Sequence, residues 1–449
     1  MKPAAGQQLE SVLGKFLSAR LGDARHLCVA LSGGMDSVVL LHALQQLLAD
    51  GKGMPRFSAL HVHHGISSHA DEWAAFCSDF CDALGIPLQV VRVDVPRDSG
   101  EGPEAAARRM RYAVFADCPA DGLLLAHHRD DQAETVLLNL LRGAGVAGAA
   151  GMPAVRKPRH GPMLIRPLLD VPRTTLEQYA VEQGLSWIDD ESNSDRHFRR
   201  NFLRHDILPA LDAKFPAARQ SLARAAGRFG EAAQLLDELA ELDMTALCAP
   251  SGRIRLMAFN DLSPARARNV LRRAWGIAGF RAPEERWIEE ARKQLASTNL
   301  HSETCVATSE AELHVYRGEL YFVAVSAPIP DAPVRWNKES ALPWAGGCVR
   351  FEAGVGAGIS REWISELAVE LRSRQGGECL KLQVNRPRRR VRNLLQEAAT
   401  PPWERARLPL LWIGDQLAWV GGLGVDASFA CPPGEAGLMP VWEPVPEAR

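Results

Sequence analysis

From residue 26 to about 190, short apolar runs alternate with segments whose apolar positions recur every three to four residues, the pattern of strands and amphipathic helices taken in turn. The pattern predicts strands at 27–31, 57–62, 88–93, 122–126 and 163–166, and helices at about 37–49, 71–84, 103–117 and 130–142. Such alternation builds an α/β fold, a doubly wound parallel sheet whose ligands bind beyond the carboxyl ends of the strands. The polar segments that follow strands, 32–37, His63-His64-Gly65 and His127-His128-Arg129-Asp130-Asp131, therefore face one shared site. After Pro209 only the helical period persists, at 217–247, 263–277 and 283–297. Residues 302–325 alternate like strands around a turn at Arg317-Gly318, and prolines 328, 330 and 333 mark a linker. The rest reads as mixed α and β, with strands near 348–352, 380–384 and 410–420 and a helix near 388–398. The expected domains are 1–215, a mostly helical module at 216–330, and a small mixed α/β domain at 335–449.

Composition narrows the class. The 449 residues exceed one typical core. An apolar fraction of 46% and a charged fraction of 24% are those of a globular protein, and no apolar run approaches the roughly 20 residues of a membrane span. Met-Lys-Pro-Ala-Ala-Gly-Gln-Gln-Leu-Glu lacks the apolar centre of a secretory signal, so a cytoplasmic protein without a membrane partner is expected. Nine scattered cysteines without a Cys-x-x-Cys argue against a disulfide framework and against zinc or iron–sulfur ligation. Cys77 and Cys81, one turn apart beside Phe76 and Phe80, read as helix core. The net charge is only -2, but residues 372–407 hold ten Lys or Arg against three Glu, a patch suited to a polyanion.

Residues 26–37 run from a buried strand into the turn Ser32-Gly33-Gly34-Met35-Asp36-Ser37, and Val38 to Leu41 suit the start of a helix. Backbone N–H groups and the positive helix end converge there on an anion, and the two glycines leave the approach clear. No Gly-Lys-Ser/Thr follows, so this is not the ordinary P-loop. The turn resembles the PP-loop of the N-type ATP pyrophosphatases, which cleave ATP to AMP and pyrophosphate while adenylating an oxygen. That resemblance implies ATP as cofactor, held by residues 32–37 with His64. Carboxylates meeting ATP need Mg²⁺ between them and the phosphates, and Asp36 and Asp131 are the expected ligands. His127, His128 and Asp131 project toward the phosphates from a strand end where Asp130 is placed to cap the next helix. Arg108 and Arg111, three apart on one helix face, are placed to steady phosphates or an adenylated base.

Further strings narrow the likeness: His64-Gly65, Ala107-Arg108-x-x-Arg111-Tyr112, His128-x-Asp130-Asp131-Gln132-x-Glu134-Thr135, Arg142-Gly143 and Gly148. Asp190-x-Ser192-Asn193-x-Asp195-x-x-Phe198-x-Arg200-Asn201 with Arg204 and Ile207-Leu208-Pro209 follows, and then Arg374-x-Gly376-Gly377-Glu378, Leu394-Leu395-Gln396-Glu397, Pro401-Pro402-Trp403 and Pro409-Leu410-Leu411 before Gly414-Asp415. In this order and spacing the chain resembles the bacterial tRNA(Ile)-lysidine synthetases, with Phe198 where tyrosine is more usual. The resemblance implies an adenine nucleotide alpha hydrolase-like catalytic domain and a carbon–nitrogen ligase. ATP would adenylate O2 of the wobble cytidine in the CAU anticodon of an isoleucine tRNA, and L-lysine would then displace AMP.

Lysine must attack as a free amine although its free pKa is near 10.4. Asp131, Asp189, Asp190 and Glu134 are candidate partners, with the last three read as the lysine site. Arg200 and Arg204, in a group with Arg196, Arg199 and Asn201, are placed to touch the tRNA backbone or to order the active site. Arg374, Arg388, Arg389, Arg390 and Arg392 offer phosphate contacts, with Trp403 as a stacking surface beside a basic helix. Competing readings are another PP-loop enzyme, such as a tRNA thiolase or a small-molecule amidating synthetase, and a non-catalytic RNA-binding protein. A monomer or a homodimer is expected.

Overall fold

The computed structural model describes residues 5–20, 24–49, 55–95, 103–191, 195–298, 304–325 and 327–444; Ser192 and Asn193 of the signature lie outside the described residues. The chain forms two compact units, Met1–Leu236 and Asp237–Arg449. No helix among the described residues is long and apolar enough to cross a membrane.

The first unit runs α1 (Ala5–Arg20), β1 (His26–Ala30), α2 (Met35–Ala49), β2 (Arg56–His63), α3 (Ala70–Leu84), β3 (Leu88–Arg92), α4 (Pro103–Ala116), β4 (Gly122–Leu124), α5 (Arg129–Leu141), α6 (Val146–Ala149), β5 (Val155–Arg156), β6 (Met163–Ile165) and α7 (Arg173–Glu182). Its sheet has the order β3-β2-β1-β4-β6-β5. All pairs are parallel except β5 with β6. The five expected strands are present, while β5, α1 and α7 had no counterpart in the expectation. Both faces of β1 are covered, which is why Leu27, Cys28 and Val29 form an unbroken apolar run. Val38, Val39, Leu40 and Leu41 of α2 are all fully buried. They join a core with Leu9 and Leu13 of α1 and Leu176 and Tyr179 of α7, so the first half of α2 is held by buried apolar side chains and its first turn is fixed. Cys77 and Cys81 are buried free thiols of α3.

After α7 come α8 (Arg199–Phe202), a π-helical turn Leu203–Ile207 and α9 (Leu208–Lys214), and then α10 (Ala218–Leu247), which carries the chain into the second unit. There helices Pro264–Ile277 and Glu285–Ser297 pack through Leu271, Trp275, Ile288 and Leu295 on a three-stranded antiparallel sheet of Cys305–Ala307, Ala311–Tyr316 and Glu319–Ala324. Arg317 and Gly318 both take positive φ, 51° and 75°, as a tight hairpin between twisted strands requires. The remainder builds a five-stranded and a four-stranded antiparallel sheet around Trp344, Leu411, Trp419 and Phe429.

Three expectations here are corrected, the first being the strand expected at 380–384, which is confined to Cys379–Leu380. Residues 388–390 are not helical: Arg389–Arg390 pairs with Cys379–Leu380, and the helix spans Val391–Glu397. The expected strand at 410–420 is a hairpin, Leu410–Ile413 and Gln416–Val420, turned at Gly414 with φ 58°.

Candidate active site

The turn after β1 is tied by its own polar groups. Ser37 Oγ donates to the Gly34 carbonyl at 2.9 Å and accepts from the Ser32 amide at 3.2 Å, and the two serine hydroxyls are 3.1 Å apart. Gly33 has φ 87°, in the left-handed region that only glycine enters without strain. Its carbonyl accepts from the Ile188 amide at 3.0 Å, which brings the Trp187–Asp190 segment against the turn. Trp187 donates its indole N–H to Asp189 at 3.2 Å, and Asp189 is otherwise exposed. Met35 and Asp36 open α2, with one oxygen of Asp36, Oδ1, buried and without a hydrogen-bond partner.

Beyond β4, His128 and Asp131 form a reciprocal cap on α5. The Asp131 amide donates to His128 Nδ1 at 3.3 Å, and the His128 amide donates to Asp131 Oδ2 at 3.0 Å. The cap is therefore His128, where Asp130 was expected. Asp130 instead receives the Arg173 amide at 3.0 Å and the Arg219 guanidinium at 2.8 Å. With Nδ1 accepting, the ring proton of His128 sits on Nε2, 3.5 Å from Asp36 Oδ2 and 3.4 Å from Asp131 Oδ2. Burial opposes a charge on His128, but Asp131, Asp36 and Asp130 together carry its pKa upward. Burial likewise works against ionised Asp131, while His128 and Arg200 hold it below the ordinary carboxylate range.

Arg200 and Arg204, one helical turn apart, point to these carboxylates. Arg204 Nε donates to Glu134 Oε1 at 2.6 Å and Arg200 Nε to Oε2 at 2.8 Å, while both Nη2 groups reach Asp131 Oδ1, at 3.1 and 3.2 Å. Glu134 is only 1% exposed, so the two arginines are its counter-ions. The side chains of Arg200 and Arg204 are thus tied to Asp131 and Glu134 at the carboxyl end of the sheet. The π-helical turn at Leu203–Ile207 carries Arg204.

The histidines differ in state. His64 Nε2 accepts from Arg111 at 3.2 and 3.1 Å, leaving its proton on Nδ1, which is buried without a partner. Burial and then Arg111 push its pKa down to about 4. His127 is also pushed to about 4 by burial, with Arg166, Arg200 and Arg108 adding to it against the pull of Asp131, and its Nδ1 is buried and unpartnered. Arg108 lies over the Tyr112 ring at 5.1 Å. Arg111 therefore serves His64, and Arg108 stays exposed beside the site. Arg166, at the end of β6, belongs to the same end of the sheet and was missed; the only signal was an arginine between the apolar Leu164-Ile165 and Pro167.

In the second unit the basic run is partly spent. Arg388 pairs at 2.9 Å with Asp426, which is fully buried, and Arg389 pairs with Glu397. Arg390 and Arg392 are exposed, and one buried nitrogen of Arg374 lacks a partner. Trp403 packs among aromatic side chains. One of its faces stacks on His314 at 4.2 Å, with Tyr321 and Tyr316 edge-on at 5.2 and 6.1 Å.

Comparison with known proteins agrees with this organisation. Residues 4–211 match the model of the PP-loop domain, 255–321 that of the TilS substrate binding domain and 369–442 that of the TilS substrate C-terminal domain. The chain is 44% identical to a tRNA(Ile)-lysidine synthase of Nitrosomonas europaea over 95% of its own length and 94% of that protein's. It is 42% identical to one of Azoarcus sp., covering 96% and 95%, and 43% identical to one of Aromatoleum aromaticum, covering 95% and 100%. A sheet with its glycine turn, carboxylates and arginines at one end, joined to two substrate modules and alike along almost its whole length, places the chain in the tRNA(Ile)-lysidine synthase family.

Proposed function

We propose that this chain carries out its family's ATP-dependent formation of lysidine on tRNA(Ile) by two successive displacements at the end of the first unit's sheet, acting on the wobble cytidine of a CAU anticodon with L-lysine as the amine. Cytidine O2 bonds to the α-phosphorus of ATP as the bond to pyrophosphate breaks. The lysine ε-nitrogen then bonds to C2 as the C2–O bond breaks and AMP leaves, its protons passing to a nearby carboxylate and on to solvent. The observation that carries the reading is the turn Ser32–Ser37, a glycine turn tied by its two serines at the start of α2, where the helix's positive end is suited to the departing diphosphate.

His64 offers its lone buried Nδ1–H to the nucleotide, with Arg111 holding that tautomer and Arg108 close by. A magnesium ion fits Asp36, whose buried Oδ1 has no partner, and its chemistry there is neutralisation of phosphate charge. Asp131, the other expected ligand, has both oxygens engaged and would have to release Arg200 or Arg204 to share the ion. The Asp131–Glu134–Arg200–Arg204 group presents both signs of charge that an amino acid's carboxylate and ammonium require, and Asp189 and Asp190 flank it in sequence on the segment laid against the turn. Removing water and adding guanidinium charge around the amine favours its neutral form. Arg374, Arg390 and Arg392 supply phosphate contacts in the second unit, and the parts 1–215, 216–330 and 335–449 act as catalytic, substrate-binding and tRNA-binding domains of a cytoplasmic enzyme.

Incubation with ATP, Mg²⁺, labelled lysine and a CAU isoleucine tRNA transcript should place label on RNA and release AMP with pyrophosphate. ADP with orthophosphate as products, or equal labelling of methionine tRNA, would overturn it. Asp36→Ala should abolish adenylation and leave tRNA binding intact.

A further inference from the structure

Arg166 stands directly after β6 and is 4% exposed. Its Nη1 donates to the Pro153 carbonyl at 2.9 Å, the Tyr112 hydroxyl lies beside it, and its Nε is buried with no hydrogen-bond partner. No ion pair with a carboxylate forms at it among the described residues, and the charges of Arg156 and Arg108 act against its own. By contrast Arg200, Arg204 and Arg219 each face carboxylates. An unpaired buried cation is strongly disfavoured unless an anion meets it. Burial and the two neighbouring arginines disfavour the charge, yet a guanidinium titrates too high to lose its proton. Among the described residues this desolvated positive charge therefore has no carboxylate counter-ion.

Its place in the sheet says which anion. The order β1-β4-β6 puts the end of β6 two strand spacings, about 10 Å, from the glycine turn, with His127 beyond β4 between them. His127 feels both Arg166 and Arg108, is held neutral, and has its own buried unpartnered nitrogen. An ATP whose outer phosphates occupy the turn has its innermost phosphate and nucleoside left to lie along this row.

We propose that Arg166, together with His127, binds the phosphate of the adenylyl half of ATP: the α-phosphoryl oxygens before transfer, and the phosphate of AMP after lysine has displaced it. The assignment rests on residues 32–37 holding pyrophosphate. It separates the two leaving groups between two sites, the turn for pyrophosphate and the β4–β6 strand ends for AMP. Uncompensated charge there is most useful at the transition state, when the α-phosphorus carries both incoming and departing oxygens.

The test is thermal unfolding of the full chain with AMP alone or inorganic pyrophosphate alone, on wild type, Arg166→Met and Arg166→Lys. Both ligands should raise the wild-type midpoint. The Met variant should lose the AMP shift, keep the pyrophosphate shift and unfold no earlier than wild type without ligand, because a desolvated charge has been replaced by an apolar chain of similar length. The Lys variant, which keeps charge without the planar fork, should recover part of the AMP shift. Single-turnover adenylation by the Met variant should fall on the order of 100-fold, with tRNA affinity and its salt dependence unchanged. An equal AMP shift in wild type and the Met variant overturns the proposal, and so does an early ligand-free midpoint with both shifts lost, which would make Arg166 structural. Weaker tRNA binding with a salt slope reduced by about one would assign the anion to the RNA backbone and overturn it too. Absence of a pyrophosphate shift in wild type would instead count against the glycine turn, while the AMP comparison still judges Arg166.

Discussion

Ile188 and Gly33 are locked together: the Ile188 amide donates to the Gly33 carbonyl at 3.0 Å, and a Cβ built on Gly33 would fall 2.6 Å from Ile188 Cδ1. The segment that carries Asp189 and Asp190 lies so close to the turn that a side chain at residue 33 would have to push the end of Ile188 aside. Gly33→Ala therefore meets two penalties, a positive φ and a steric clash. It should lower unfolding free energy by about 1–3 kcal/mol and raise the KM for ATP. Denaturant unfolding with initial-rate kinetics would check both, and an unchanged KM would detach the Ile188 contact from nucleotide binding.

The buried end of Glu134 supplies a second prediction. Both its oxygens are held by arginines whose side chains are about a third exposed, 32% and 31%. Glu134→Gln keeps the shape and removes the charge, leaving the two guanidiniums to share the single carboxylate of Asp131. The full cost of breaking a buried pair is discounted for the solvent that reaches the guanidiniums, so a loss of about 2–4 kcal/mol is expected. Combining Glu134→Gln with Arg204→Met should recover part of that loss. Strict additivity in the double-mutant cycle would show that the pair is not coupled.

Much of this site was legible locally. Ser32–Ser37, the histidine pairs and the five strands announce themselves within a few residues, because strand period, glycine and helix start are short-range signals. The pairing of Glu134 with Arg200 and Arg204 was not, since partners more than sixty residues apart meet only through the sheet and the π-helical turn. The same reason explains the misplaced helix at 388–390. Arg389 and Arg390 are drawn into a strand pair with Cys379 and Leu380 after Pro387, and periodicity in the run itself carries no trace of that partner. Trp403 looked like an exposed platform because its stacking partner, His314, is far away in sequence.

Acidification should expose the two neutral histidines. His64 and His127 sit near 4 in the folded chain and near the ordinary 6.5 when unfolded, so the unfolded state binds more protons between those values. Their contribution to stability is present above about 6.5 and is lost as pH falls toward 4. A midpoint-against-pH series should show this decline, and His127→Asn should take up about one proton fewer on unfolding across that window. An identical slope in the variant would mean that His127 is not held neutral. His128 responds in the opposite sense: Asp131, Asp36 and Asp130 raise its folded pKa against the cost of burial, so its contribution to stability is fully present below the ordinary histidine value of about 6.5 and is lost as pH rises above it.

The basic run of the second unit divides into charges that are paired within the fold and charges that stay exposed. Asp426 is fully buried and accepts from the Lys381 amide at 2.8 Å, the Ser428 amide at 3.0 Å and Arg388 at 2.9 Å. Removing Arg388 leaves a buried carboxylate with amides but no cation, so Arg388→Ala should destabilise the second unit by about 1–3 kcal/mol. Arg390 and Arg392 are exposed, and replacing both with Ala should leave the unfolding midpoint within error. Their loss should instead weaken tRNA binding uniformly across tRNA sequences and reduce the slope of log K against log salt by about two. Filter binding over a salt series, paired with thermal unfolding of the same variants, distinguishes the two classes. If Arg390→Ala with Arg392→Ala leaves the salt slope untouched while Arg388→Ala changes it, the phosphate contacts have been assigned to the wrong side of the strand pair.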